Sequence, residues 1–189
     1  MNLSKNAASA ALAAILTQHN GGSAKAYSGA MPATPETALS GNTALVAATY
    51  QSPAFGSQSF SGGFQQASAN FTAANYAPSN SGGATFIRVL ESDGTTVIED
   101  CTVGAVWQAS IVTAVGQYCT NGGNTYISTA AGTTAASGGP TGTGTGITDG
   151  TVTWNYVGAG QLFDFLLGNC NIQTGTNVSF SQTLKMPAV

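Results

Sequence analysis

The sequence predicts a mainly β fold: an antiparallel β-sandwich or jelly-roll-like base with one N-terminal helix and a small inserted β-module. Three observations predict it. Beyond about residue 20 the apolar side chains leave a helical period for alternation. Short apolar runs are separated by Gly, Asn and Asp-Gly turn signals, as in sandwiches. Charge is nearly absent, at 6% of residues against 42% hydrophobic, where an ordinary soluble domain carries about 25%. Disorder is argued against by a mean hydropathy of +0.10 and by Val, Ile, Leu, Phe and Tyr spread along the chain. Such a chain must cover itself with hydroxyls, amides and backbone, a surface that suits repeated protein contacts better than a free enzyme. It reads first as part of an assembly.

Residues 4–18 form the helix. Ser4 can cap it, Ala7, Ala8, Ala11, Leu12, Ile15 and Leu16 recur at three-to-four-residue spacing, and Asn20-Gly21-Gly22 stops it. Ala24–Ser28 and Thr43–Tyr50 read as strands around a loop carrying Pro32 and Pro35. Phe86–Glu91, the turn Ser92-Asp93-Gly94 and Thr95–Asp100 make the clearest hairpin, because Asp-Gly supplies the positive-φ residues that two-stranded ribbons need. Asn177–Met186 alternates, and should lay Val178, Phe180, Leu184 and Met186 toward a core.

A composition break marks the insertion, residues 105–158, within a discontinuous base of 1–104 and 159–189. Three short strand-like runs lie between Gly-rich turns and hold Trp107, Tyr118, Tyr126, Trp154 and Tyr156, which include both tryptophans. Aromatic side chains bury about 150–250 Å² each, and little else could hold so short a unit together. These rings are read first as the core of the module, and alternatively as a carbohydrate-binding row in which one or two exposed faces stack on sugars. Alternation in Val152–Tyr156 assigns Trp154 to the core, and Trp107, beside the junction with the base, is the better candidate for exposure.

Several classes are excluded on composition. Only Lys5, Lys25, Arg88 and Lys185 could touch phosphate, and the net charge is −3, so nucleic acid is not a partner. There is no run of 18 apolar residues, and the Ala-rich N-terminus is not a leader of the usual kind, so neither a membrane span nor export is expected. Cys101, Cys119 and Cys170 are widely spaced with no CxxC, and read as buried thiols rather than metal ligands; if any two pair, Cys101 and Cys170 flank the insert and are the better match. His19, the single histidine, reads as a helix-end or solvent-exposed group rather than a general base. Glu91, Asp93, Glu99 and Asp100 read as solvated acids around the hairpin, without calcium-loop spacing. The stretch Gly142-Thr143-Gly144-Thr145-Gly146 lacks the Lys-Ser/Thr of a phosphate loop. No catalytic residue, metal or cofactor is expected.

With the insert set aside, a sequence order emerges: the helix, Lys25-Ala26-Tyr27-Ser28-Gly29, Met31-Pro32-Ala33-Thr34, Pro53-Ala54-Phe55-Gly56, Phe86–Gly94, Cys101-Thr102-Val103-Gly104 and the closing Leu184-Lys185-Met186-Pro187-Ala188. This order resembles a family of small tailed-bacteriophage virion proteins over most of 1–104 and 159–189. The insert separately resembles a repeat of phage tail and head proteins, and more distantly small chitin-binding carbohydrate modules, through Trp107-Gln108-Ala109-Ser110, Val115-Gly116-Gln117-Tyr118, Asn121-Gly122-Gly123 with Tyr126, Pro140-Thr141-Gly142-Thr143-Gly144 and Asp149–Trp154. It departs from that repeat at Ile111-Val112-Thr113, where a polar-aromatic step is usual, and at Cys119, where valine is usual. The resemblance implies a virion structural protein assembled in the bacterial host cytoplasm. The expected role is a capsid decoration or cement protein contacting the major capsid protein and itself, as a trimer, with the insert outward; the alternative is a tail-associated adhesin binding host-surface glycans.

Overall fold

The computed structural model describes residues 3–188. Its one helix, α1 (Lys5–Gln18), starts where Ser4 accepts a hydrogen bond from the Ala7 amide at 3.3 Å. Its buried stripe is Ala8, Leu12 and Leu16, narrower than predicted. The chain then turns sharply, and Gly22 is required there, because a Cβ would stand 2.3 Å from the Leu90 carbonyl oxygen.

The base contributes β1 (Ser23–Ser28), β2 (Thr43–Phe55), β3 (Ser59–Ser61), β4 (Phe64–Phe71), β5 (Gly82–Gly83), β6 (Phe86–Leu90) and β7 (Val97–Val106). Residues 105–158 add β8 (Val112–Thr113), β9 (Tyr118–Asn121), β10 (Asn124–Ala130), β11 (Gly132–Thr133), β12 (Ile147–Asp149) and most of β13 (Val152–Ala159). The chain ends with β14 (Phe165–Leu167), β15 (Asn171–Ile172) and β16 (Phe180–Pro187).

The fold is mainly β with one helix, but its base is a closed seven-stranded barrel rather than the predicted sandwich or jelly roll. The ring runs β7-β14-β16-β4-β2-β1-β6, and β6 pairs back to β7. Closure depends on a parallel pairing, Phe165↔Val103 through Leu167↔Ala105, between strands remote in sequence. Inside-outside alternation is common to sandwiches and barrels, so it could not reveal that contact. Val46, Ala48, Ile87, Val89, Val103 and Phe165 are among the side chains of the central cluster, which Leu12 and Leu16 of α1 join.

The β6–β7 hairpin forms as predicted, with a different connection. Leu90 pairs Val97 across a six-residue loop, and Asp93 Oδ1 accepts from the Thr95 and Thr96 amides, both at 2.8 Å. A register shift between Val89 and Leu90 then pairs Val89 with Glu99 and Arg88 with Asp100. One residue of slip exchanges faces. Glu99 is thereby set on the interior face with Val89, while Asp100 meets Arg88 outside. The two acids are not the solvated groups expected: Arg88 binds Asp100 through Nε at 2.8 Å and Nη2 at 2.7 Å, and Nη2 also donates to Thr37 O at 3.0 Å.

Residues 105–158 contain a second cluster of Cys119, Tyr126, Val152 and Trp154, with Trp107, Ile147 and Tyr156 packed against it. They also continue the barrel sheet, because β9 runs parallel to the end of β7, Gly104↔Tyr118 through Val106↔Thr120, and leads on to β10, β13 and β12. Gln117 Nε2 bridges the two parts, donating to Ala84 O and Cys170 O at 3.0 Å each.

Candidate aromatic site

The five aromatic residues of 105–158 divide by position. Trp154, on β13, is 2% exposed, and Tyr126, opposite Tyr156 on β10, is 1% exposed. Tyr126 donates its hydroxyl to Gly142 O at 3.0 Å, anchoring the Gly-Thr loop. Tyr156 meets the Tyr126 ring edge-on at 5.9 Å and is half-buried. Tyr118 is half-buried too, and its nearest ring is Phe163, at 6.1 Å. Trp107 follows β7 directly, its amide held by Thr120 O at 2.9 Å, and keeps part of its surface in solvent. The rings therefore serve mainly as packing, and only Trp107, Tyr118 and Tyr156 present partial faces.

Asp149 organises this arrangement. It is 4% exposed, and its Oδ2 accepts from both indoles, Trp107 Nε1 at 2.7 Å and Trp154 Nε1 at 3.2 Å. Its Oδ1 accepts from the Ala135 amide at 2.9 Å. A carboxylate can be buried when donors surround it in this way. In the sequence Asp149 stood only as the first residue of the Asp149–Trp154 motif. A signal was available: it is the one charged residue between Asp100 and Asp164, in the segment that holds both tryptophan N–H donors.

A second polar cluster lies inside the barrel. His19, expected at a helix end or in solvent, does cap the helix but is 0% exposed. Its ring lies edge-on to Tyr50 and Phe55, with centroids 5.4 and 5.3 Å away. Nε2 stands 3.4 Å from Glu99 Oε1, which also accepts from Gln182 Nε2 at 2.9 Å. Tyr50 donates its hydroxyl to Gln182 Oε1 at 2.7 Å.

Cys101, Cys119 and Cys170 are free and buried. Burial pushes the Cys119 and Cys170 thiols up to about 12 and Cys101 still higher, so all three are poor nucleophiles. Cys170 shares a small cavity with Cys119 rather than with Cys101, the partner proposed for it from the sequence. Among the described residues no group of three or more His, Cys, Asp or Glu side chains is placed to hold a metal ion, and no helix is long and apolar enough to cross a membrane. Comparison with family models, curated proteins and solved structures returns no match to this chain.

Proposed function

We propose that the chain is a structural protein of a tailed-bacteriophage virion and not an enzyme. Its role is decoration or cement on the head lattice, as a homo-oligomer, a trimer in the simplest case, with 105–158 facing outward. The observation that carries this reading is the surface. The chain has four basic and seven acidic residues, and Arg88 and Asp100 are withdrawn into a pair whose side chains are 7% and 5% exposed. What remains is sparse in charge, with three lysines and six acids, and Met31, Phe60, Phe64, Val112, Val115 and Leu162 are all exposed. Free monomers are normally kept apart by charge, whereas many shallow neutral contacts on a repeating lattice add up through multivalency. A charge-free groove between Met31 and Val115 is one such surface. With Arg88 buried, three lysines remain as possible phosphate contacts, and the reading includes no nucleic acid and no membrane.

A second reading, a tail-associated adhesin for host-surface glycans, draws on the partial exposure of Trp107, Tyr118 and Tyr156. Co-sedimentation of the purified protein with undecorated heads of its phage tests the first reading. Saturable, stoichiometric capture by heads supports it; capture by tails or by host-surface polysaccharide, with none by heads, supports the second.

A further inference from the structure

Helix α1 is fastened to the barrel by hydrogen bonds whose donors and acceptors can be assigned. His19 Nδ1 lies 3.0 Å from Ile15 O, and Nε2 lies 3.4 Å from Glu99 Oε1. A carbonyl oxygen only accepts, and so does an ionised carboxylate, so both ring nitrogens must carry hydrogen. Donating from both nitrogens, the ring sits at the C-terminal end of a helix, where the backbone dipole favours a cation. The Gln182 amide cannot replace it. Its nitrogen already donates to Glu99 and its oxygen accepts from Tyr50.

We propose that the His19–Glu99 pair is an acid-sensitive latch, and that neutralising Glu99 detaches the C-terminal turn of α1 while the barrel stays closed. The His19 side chain is 0% exposed and that of Glu99 28%, so water reaches the carboxylate but not the ring. Protonating Glu99 leaves a cation enclosed by Tyr50 and Phe55 without a counter-charge, a costly state. The groups facing the ring are few. β7 offers Glu99 and, hydrogen-bonded to it, Cys101; β2 offers Tyr50; β16 offers Gln182, which does not titrate; β4 carries no titratable residue. Burial raises both Cys101 and Tyr50, so neither changes charge in acid. Apart from the Arg88–Asp100 pair across β6 and β7, the barrel is held by backbone ladders and apolar contacts that do not titrate, whereas α1 rests on it through Ala8, Leu12 and Leu16.

The sign follows from Glu99. Burial raises its carboxyl, but the hydrogen bond and charge of His19, with help from Cys101 and Gln182, bring it below the ordinary value. A depressed carboxyl contributes stability that is present above its unfolded titration and lost as pH falls through the folded one.

Two measurements on the native protein test the latch. Nitrogen NMR of the single histidine at neutral pH should show hydrogen on both ring nitrogens. Hydrogen exchange should show the last turn of α1 losing protection below the usual carboxylate range, by about tenfold per pH unit, while β1, β2 and β4, which carry no carboxylate, keep theirs. Glu99→Gln should leave that turn weakly protected at neutral pH, with no further loss in acid. A neutral ring at neutral pH, helix and barrel amides losing protection together, or a wild-type acid profile in Glu99→Gln would each overturn the proposal. If Glu99→Gln does not fold, the two native measurements still decide.

Discussion

Trp154 and Arg88 have the most to lose by substitution. Trp154→Ala should cost about 3–5 kcal/mol in denaturant unfolding, as large-to-small changes in a packed core do. Asp149→Asn turns an amide N–H toward two indole donors or gives up the Ala135 amide, and should cost about 1.5–3 kcal/mol. Trp107→Ala discriminates between the two readings of the rings. If the ring is packing, stability falls by about 1–3 kcal/mol and no glycan retention is seen before or after. Retention of the wild type on a chitin or polysaccharide matrix, lost in Trp107→Ala at unchanged stability, would favour the adhesin. Arg88→Ala strands Asp100 beneath the Thr37 loop and should cost about 3–5 kcal/mol, with Arg88→Lys recovering part of it. The Arg88–Asp100 pair was hidden in the sequence because a Ser92-Asp93-Gly94 turn places Arg88 opposite Ile98; the longer loop with the shift at Val89/Leu90 moves Asp100 there instead.

Elements were legible where the signal is local. Ser4, the spacing of Ala8, Leu12 and Leu16, and Gly21-Gly22 mark the helix within a residue of its ends. The β6–β7 pairing and the inward alternation of Val178, Phe180, Leu184 and Met186 were readable for the same reason. Barrel closure was not, because the β7–β14 contact joins strands separated by the whole of 105–158 and runs parallel. Nor was the length of β2, which continues five residues past Tyr50 to Phe55. The proposed division of the chain has its own test. Between Val106 and Gly158 lie β9 and β10, linked by Val106↔Thr120, Thr120↔Thr125 and Thr125↔Gly158. The ends left by removing 105–158 thus stand three strand spacings apart, about 14 Å, which about five extended Gly residues can span. With Gly104 joined to Ala159 in this way, the base should unfold cooperatively by circular dichroism, since Val103 and Gly104 still pair with β14. Loss of cooperative folding would assign β9 to β13 to the core of the base.

In the whole molecule a closed barrel carries a surface sparse in charge. Residues 105–158 extend the barrel sheet through β9 beside β7, and both indoles of the segment turn their N–H to Asp149. Two sequence features remain informative at this scale: the scarcity of Lys, Arg, Asp and Glu, and the retention of exposed Met31, Phe60, Val112 and Val115 in a folded chain. Counting copies of this chain in purified particles by quantitative gel tests the central claim most directly. The account predicts a number on the scale of the major capsid protein, in the hundreds per particle; a handful of copies would place it on the tail, and none in the particle would contradict a structural role in the virion altogether.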